Sequence, residues 1–154
     1  MEKLAIGSKI PNITSSDQDG KEINLMQFSG KKLVVYFYPK DDTPGCTAQA
    51  CSLRDGFELL VEKGIVVLGV SADSAKAHIK FIEKYKLPFS LLADTEKDII
   101  KAFGVWGSKQ FMGKTYDGIH RTSFLFNEDS TLIDVLNKPN TKDHANEILK
   151  TYNL

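Results

Sequence analysis

The sequence carries no excess charge of either sign and no long apolar stretch. Its 20 Lys+Arg residues balance its 20 Asp+Glu residues, so the formal net charge is zero. General nucleic-acid binders and membrane-surface binders need a surplus of positive charge. The balanced charge of this chain argues against both classes. No apolar run approaches the roughly 18 residues that a membrane-spanning helix requires. The composition, 42% hydrophobic and 26% charged, is that of an ordinary soluble globular protein.

Cysteine and arginine are scarce. The two cysteines, Cys46 and Cys51, lie close together, and the 20 basic residues include only two arginines, Arg54 and Arg121. Residues 1–8 hold no apolar core of signal-peptide length, so we expect a cytoplasmic protein. In that compartment a cysteine pair is more often catalytic or metal-binding than a permanent structural bridge. Each arginine is open to two interpretations, a defined position in a site or an ordinary surface ion pair.

The chain is most simply one domain over residues 1–154, with an α/β fold. Short apolar runs rich in β-branched or aromatic residues predict three buried strands, Leu33–Tyr38, Ile65–Val70 and Phe89–Leu92. A segment with helical spacing follows each strand. These predicted helices run from Cys46 to Gly64, from the cap Ser74 to Tyr85, and from Thr95 to Phe103. Strands that alternate with helices indicate an α/β sheet.

Two hairpins, a loop and a last helix complete the prediction. Asp19-Gly20 is a hairpin signal near the N-terminus, and the apolar segments 122–126 and 131–136 predict a second hairpin. Leu25–Phe28 is predicted to form one helical turn. The glycine-rich residues 104–120 are predicted to form a loop. Thr141 is the predicted cap of a last helix, whose apolar face is Ala145, Ile148, Leu149 and Tyr152. The predicted helix that follows Cys46 has the apolar face Ala50, Leu53, Phe57, Leu60 and Val61.

The segment from Pro39 to Cys51 carries the strongest functional signal. Thr43 is a good N-cap, and Pro44 is favoured at the first helical position. Cys46 would then face unpaired N–H groups at the positive end of the helix dipole, which favours the nucleophilic thiolate. An arbitrary cysteine is more often a small buried hydrophobe. The cap after a buried strand and the second cysteine outweigh that interpretation.

The spacing of the two cysteines excludes a bridge within an intact helix. Five residues of ideal helix turn about 140° and rise about 7.5 Å, which separates the Cα atoms by about 8.7 Å. A disulfide needs about 4.4–6.8 Å. Either the two cysteines never bond, or oxidation unwinds the first turns. The spacing also differs from Cys-x-x-Cys, which disfavours a thioredoxin-type dithiol reductase and a zinc knuckle.

The pattern Pro39-x-x-x-Thr43-x-x-Cys46 matches the active-site signature of the peroxiredoxins. Cys51 and three further segments resemble the Q-type branch of that family, the bacterioferritin-comigratory proteins. These segments are Ala50–Asp55, Gly104–Gly107 and Gly118–Leu125. The resemblance runs in order through nearly the whole chain.

The resemblance implies a thioredoxin-like fold with a mixed central sheet, flanking helices and an added N-terminal hairpin. It implies that Cys46 is the peroxidatic cysteine, which attacks a peroxide and becomes a sulfenic acid. Cys51 would resolve the sulfenic acid to an intramolecular disulfide, and thioredoxin or a similar dithiol donor would reduce that bond. No metal or organic cofactor is needed. Because resolution lies within one chain, the resemblance favours a monomer.

The same resemblance assigns three supporting residues. Thr43 would hydrogen-bond the thiolate and the peroxide, Pro39 would shield the pocket from water, and Arg121 would hold the thiolate charge and the peroxide oxygen. Developing negative charge needs such donors. Gln49 departs from the family, which often has Glu three residues after the peroxidatic cysteine. Gln brings no negative charge, so a charge-based link from this position to basic neighbours is lost.

Several other residues receive plainer interpretations. The three histidines, His78, His120 and His144, lie far apart in the sequence and are treated as non-functional. Trp106 is expected to pack or to anchor a loop rather than to line the pocket. Phe111-Met112 is either an exposed apolar patch for a partner or a cover for the core.

Three other functions compete with a thiol peroxidase. A general dithiol-disulfide oxidoreductase on the same fold is disfavoured by the cysteine spacing and by the Thr43/Arg121 pair. A redox sensor or adaptor would pass the oxidation of Cys46 to a partner protein. A metal-binding module is the weakest alternative, since the chain has two thiols and no histidine near them in sequence.

Overall fold

The computed structural model describes residues 2–154, which contain nine β-strands and five α-helices. In chain order the strands are β1 (Thr14–Ser16), β2 (Glu22–Asn24), β3 (Lys32–Phe37), β4 (Ile65–Ser71), β5 (Ser90–Ala93), β6 (Trp106–Phe111), β7 (Lys114–Ile119), β8 (Thr122–Phe126) and β9 (Leu132–Leu136). The helices are α1 (Pro44–Asp55), α2 (Phe57–Glu62), α3 (Ala75–Tyr85), α4 (Asp98–Ala102) and α5 (His144–Thr151). Among these residues, no helix has both the length and the apolar character needed to cross a membrane.

Five strands form a mixed central sheet in the order β5-β4-β3-β8-β9. β3 pairs in parallel with β4, and β4 with β5, whereas β8 runs antiparallel to both β3 and β9. β3 lies at the centre because it is apolar on both faces, and every residue from Leu33 to Phe37 is buried. The predicted mixed α/β sheet is confirmed, and each of the three predicted strands agrees to within one residue at its ends.

The side chains of β3 alternate between two apolar cores, one on each face of the sheet. Val34 and Tyr36 belong to a cluster with residues of α1, α2, α3 and α5. Val35 and Phe37 belong to a second cluster with residues of β2, α4 and β7. Cys46 is part of the first cluster, so the start of α1 is anchored on that face of the sheet.

The two predicted hairpins are confirmed. β1 pairs antiparallel with β2 near the N-terminus, and β8 pairs antiparallel with β9. Gly20, in the first turn, has a left-handed φ of 79°, which glycine adopts at little cost. The predicted helical turn Leu25–Phe28 is a 3₁₀ turn, and Asn24 caps it in a reciprocal pair of hydrogen bonds with Gln27.

Residues 104–120, for which the sequence predicts a loop, form a third hairpin instead. β6 and β7 pair antiparallel from Trp106 to Ile119. Met112 and Gly113 connect them and both have positive φ, 51° and 78°, as in a type I′ turn. The prediction was wrong because most side chains of this hairpin are at least partly exposed, so no apolar alternation marks its strands.

The single helix predicted from Cys46 to Gly64 is divided at Gly56. A Cβ atom at Gly56 would lie only 2.5 Å from the Cβ of Ala145 in α5. The division therefore coincides with a close approach of α5. Val61, predicted on the buried face, is 54% exposed, because helical spacing counted from α1 no longer applies beyond the division.

Substitution of Gly56 by alanine is expected to lower the free energy of unfolding by about 1–3 kcal/mol, because the new methyl group overlaps Ala145. Urea denaturation measures the loss. Ala145→Gly alone should cost about 1 kcal/mol, as glycine does within a helix. The double variant G56A/A145G should recover most of the loss caused by Gly56→Ala; strictly additive losses would show that the contact is not the cause.

The helix ends are partly corrected. Ser74 caps α3 as predicted, and its side chain accepts a hydrogen bond from a backbone N–H of the first turn. α4 begins at Asp98 rather than Thr95, and Asp143 rather than Thr141 is the cap residue of α5. A hydrogen-bonded turn precedes each of these two helices and delays its start.

The buried face of α3 also differs from the prediction. His78 and Phe81 are buried, whereas Ile79, predicted to face inward, is 36% exposed. Ile82 and Tyr85, also predicted inward, are partly buried against the first core cluster. A histidine can occupy the inward face here because both of its ring nitrogens have hydrogen-bond partners.

Candidate active site

Cys46 lies where the sequence predicts it, at the start of a helix that follows the central strand. Thr43 is the N-cap residue of α1, Pro44 is the first helical residue and Cys46 is the third. The Thr43 side chain makes no capping hydrogen bond, so it does not occupy the free N–H groups of the first turn. The Cys46 side chain is buried. A thiolate at this position is favoured by those N–H groups and by the helix dipole.

Arg121, which lies 75 residues further along the chain, contacts the sulfur directly. It follows β7, and its Nη2 donates a hydrogen bond to Sγ of Cys46 at 3.4 Å. A Cβ atom at Gly45 would lie 3.0 Å from the same Nη2. The absence of a side chain at Gly45 therefore admits the guanidinium group, which brings a permanent positive charge to the thiol.

Gln49 forms the other half of the Arg121 contact. Its Oε1 accepts a hydrogen bond from Nη1 of Arg121 at 2.7 Å, and its side chain is fully buried. Its Nε2 is buried without a hydrogen-bond partner among the residues that the structure describes. A glutamate here would neutralise part of the arginine charge. The neutral amide orients Arg121 and leaves its full charge directed at Cys46.

Tyr36 is a neighbour of the site that sequence reasoning missed. It is buried in the same cluster as Cys46, and its hydroxyl also lacks a hydrogen-bond partner among the described residues. Burial, and then the charge of the nearby Cys46, raise the pKa of Tyr36 well above its ordinary value. The phenol therefore keeps its proton near the thiol. The hydroxyl that Tyr36 brings into the apolar run of the central strand was the available signal.

Cys51 lies in the same unbroken helix as Cys46, and both cysteines are free thiols. Cys51 is half-buried. Within a continuous helix the spacing of five residues holds the Cα atoms about 8.7 Å apart, beyond the range of a disulfide. The structure thus shows the reduced arrangement, and it does not bring the two sulfurs together.

Thr43 and Pro39 belong to the loop between β3 and α1. The Thr43 hydroxyl donates its hydrogen to the Lys40 carbonyl at 2.8 Å. No hydrogen bond between this hydroxyl and the Cys46 sulfur is present in the described chain, so the expected contact with the thiolate is not seen. The oxygen lone pairs of Thr43 remain available to accept a hydrogen bond. Pro39 is half-buried at the start of the loop.

Arg54 and Trp106 lie apart from the Arg121–Cys46 contact. Arg54 forms an ion pair with Asp55 at 3.0 Å and donates to the Tyr85 carbonyl at 2.9 Å. The ion-pair interpretation of Arg54 therefore describes its observed contacts. Trp106 is half-buried and packs against the second core cluster, in agreement with the packing role predicted for it. Phe111 and Met112 are exposed at the tip of the β6-β7 hairpin, so they do not cover the core.

The three histidines occupy three separate places. His120 lies 3.1 Å from the Ser108 carbonyl near the surface. His144 is buried between Ser123 and Glu147, with contacts of 2.8 and 2.7 Å. Burial lowers the pKa of His144, which favours a neutral ring. His78 contacts the loop before α1, in a buried pair with Asp41, a position that sequence reasoning did not anticipate.

Comparisons with known proteins identify relatives of this chain. The model of the AhpC/TSA family matches residues 6–135. The chain is 50% identical over 149 residues to a Bcp protein of Haemophilus influenzae and 46% identical over 149 residues to peroxiredoxin Bcp of Escherichia coli. Each alignment covers 97% of this chain and 96% of the relative.

A solved structure of the bacterioferritin comigratory protein of Xanthomonas campestris has the same fold. It superposes with a TM-score of 0.88 at 31% identity, and the match covers 97% of this chain and 96% of the other. The predicted thioredoxin-like fold and the predicted resemblance are therefore confirmed. The chain belongs to the AhpC/TSA family, in its branch of bacterioferritin-comigratory peroxiredoxins.

Proposed function

We propose that this protein is a thiol peroxidase that reduces hydrogen peroxide and organic hydroperoxides, with Cys46 as the reacting thiol. The observation that carries the proposal is the Arg121 guanidinium 3.4 Å from a buried cysteine at a helix start. Family membership supports it, and the Xanthomonas campestris relative has alkyl peroxide reduction activity. No metal or organic cofactor is required, because the thiolate itself supplies the electrons.

In the first step the Cys46 thiolate attacks one oxygen of the peroxide. The O–O bond breaks, the sulfur becomes a sulfenic acid, and the second oxygen leaves as water or an alcohol after it takes up a proton. Negative charge moves from sulfur to the leaving oxygen. Arg121 and the free N–H groups at the start of α1 are placed to stabilise that charge.

Thr43 and Pro39 would shape the pocket for the peroxide. The Thr43 hydroxyl already donates to the Lys40 carbonyl, so it meets the substrate as a hydrogen-bond acceptor. It would accept a hydrogen bond from the peroxide O–H group and so orient the O–O bond. Pro39 has no N–H group and keeps water from the thiolate. The hydrogen bond from Thr43 to Lys40 supports the acceptor role of Thr43.

In the second step Cys51 resolves the sulfenic acid. The Cys51 thiol attacks the oxidised sulfur of Cys46, water leaves, and an intramolecular disulfide forms. The Cα atoms must approach from about 8.7 Å to about 4.4–6.8 Å, so the first turns of α1 unwind. Resolution within one chain needs no second copy of the protein, which supports a monomer.

Thioredoxin, or a similar dithiol protein, would complete the cycle. Its thiolate attacks the Cys46–Cys51 disulfide, a mixed disulfide forms, and its second thiol releases the reduced enzyme. Such a cycle consumes reduced dithiols continuously. A cytoplasmic location supplies them, because thiols are kept reduced there.

The proposal is tested by peroxide consumption coupled to thioredoxin, with the variant Cys51→Ser as the informative change. The wild-type protein should turn over continuously. Cys51→Ser should consume about one equivalent of peroxide and then stop, since no resolving thiol remains. Mass spectrometry should find oxygen on Cys46. Continued thioredoxin-driven turnover by Cys51→Ser would show that another group resolves the sulfenic acid, and a wild-type protein without peroxide consumption would refute the function.

A further inference from the structure

The loop that joins β3 to α1 is held by a carboxylate at Asp41, whose side chain is 6% exposed. Its Oδ1 accepts a hydrogen bond from the Tyr38 hydroxyl at 2.6 Å. Its Oδ2 lies 2.7 Å from Nδ1 of His78 in α3. The Asp41 N–H donates to Asp73 at 2.9 Å. Asp41 is thus held from three sides, two residues before Thr43.

Both ring nitrogens of His78 have hydrogen-bond partners. Nε2 lies 3.0 Å from the Leu92 carbonyl oxygen, which only accepts, so Nε2 carries a proton. Nδ1 is bonded to the Asp41 carboxyl group, so one ring links the loop before α1 to β5. His78 is fully buried, so water does not compete for either of these contacts. Burial raises the pKa of Tyr38 well above its ordinary value. Tyr38 therefore keeps its proton and donates a hydrogen bond to Asp41.

Asp41, Asp73 and His78 also place three possible metal ligands within 4.8 Å of one another. Hydrogen bonds already engage them. Oδ2 of Asp73 accepts from the Asp41 N–H and from the Ser71 hydroxyl, at 2.9 and 2.6 Å. Oδ2 of Asp41 and Nδ1 of His78 bond to each other. These contacts explain why the three side chains lie together: they support the loop before α1.

A second contact from α3 holds the next residue of the loop. Asp42 has a left-handed φ of 58°, and its carboxylate accepts hydrogen bonds from Lys84 at 2.8 Å and from the Tyr85 hydroxyl at 2.7 Å. The Lys84 and Asp42 side chains are 58% and 44% exposed, and exposed ion pairs contribute little. The buried pair at Asp41 is therefore the stronger restraint on the loop.

We propose that His78 is a positioning residue for the reaction with peroxide. Through its buried hydrogen bond to Asp41 it fixes the loop 39–43, and with it the Thr43 hydroxyl and the start of α1. The inference rests on the thiol peroxidase function proposed above. Oxidation unwinds α1 from its first turn, so the loop before it must stay in place for the pocket to reform after each turnover.

Two near-isosteric replacements separate positioning from simple stability. His78→Asn keeps an N–H donor at the position of Nδ1, towards Asp41, whereas His78→Gln keeps one at the position of Nε2, towards Leu92. Both replacements lose one buried hydrogen bond and should lose comparable unfolding stability. The single-turnover rate of reduced protein with peroxide should stay within about threefold for Asn and fall about tenfold or more for Gln, because small displacements of reacting groups are costly.

Lys84→Met is the matched control, because it removes the exposed contact to the same loop. Its single-turnover rate should stay within about twofold of the wild-type rate. The inference is overturned if His78→Gln reacts as fast as His78→Asn. It is also overturned if the rates of all three variants simply follow their unfolding stabilities.

Nitrogen NMR of histidine-labelled protein gives a readout independent of activity. Asp41→Asn should change the Nδ1 signal of His78, because it alters the group bonded to that nitrogen. A His78 Nδ1 signal that Asp41→Asn leaves unchanged would overturn the inference while peroxide reduction by the wild-type protein stood. If Asp41→Asn changes the Nδ1 signal but the wild-type protein does not reduce peroxide, the proposed function is refuted instead, and with it the role given to His78.

Discussion

Cys46→Ser is expected to lose peroxide reduction by at least about 10⁴-fold, to the level of background. Serine keeps nearly the size of cysteine in the first turn of α1, but its hydroxyl is not ionised at neutral pH. The Arg121 guanidinium would then face a weak nucleophile. The measurement is peroxide-dependent turnover in the thioredoxin-coupled assay.

The control for Cys46→Ser is its fold. Far-ultraviolet circular dichroism and the thermal midpoint should match those of Cys51→Ser, because each variant replaces one sulfur atom in the same helix. Normal turnover by a folded Cys46→Ser protein would show that the reacting thiol lies elsewhere. The only other cysteine is Cys51, which would then have to react with peroxide and be reduced without an intramolecular disulfide.

Arg121→Met should lower the single-turnover rate with peroxide by about 10²–10³-fold, the usual cost of removing one donor that stabilises developing negative charge. Methionine fills a similar volume but removes both hydrogen bonds, to Cys46 and to Gln49. Arg121→Lys should fall between this variant and the wild type. It restores a charge near the sulfur but cannot bond the sulfur and Gln49 in the same fixed geometry.

Arg54→Met is the matched control for this change, since Arg54 is the only other arginine in the chain. Its contacts are to Asp55 and to the Tyr85 carbonyl, and its rate with peroxide should stay within about twofold of wild type, as for other exposed ion pairs. Equal losses in Arg54→Met and Arg121→Met would point to a general effect of positive charge. Such a result would contradict the direct role of Arg121.

Much of the fold could be predicted because its signals are local. The apolar run of β3 and the turn residues of the N-terminal hairpin each act over a few positions. The hairpin β6-β7 escaped prediction because its exposed strands carry no apolar alternation. The division of the first long helix at Gly56 escaped it because its cause, the approach of Ala145, lies 89 residues away along the chain (145 − 56).

The candidate site could likewise be predicted only where its signals are local. The placement of Cys46 on the first helical turn follows from the cap and the proline that precede it. The Arg121 contact was expected only through family resemblance, because 75 residues separate the two side chains. The buried pair of His78 and Asp41 was not expected at all. A lone histidine in a helix has no local feature that reveals a partner 37 residues earlier.

The sequence by itself determined a thiol at a helix start and a second thiol too far along the helix to bond with it, since caps, propensities and helical rise act over a few residues. Only the tertiary structure decided which groups surround that thiol. It set Arg121 beside the sulfur, paired Arg121 with Gln49, and used α3 to hold the loop before the thiol. Those contacts depend on the order of the strands in the sheet and on the packing that buries their side chains. No short segment of the chain determines either of these.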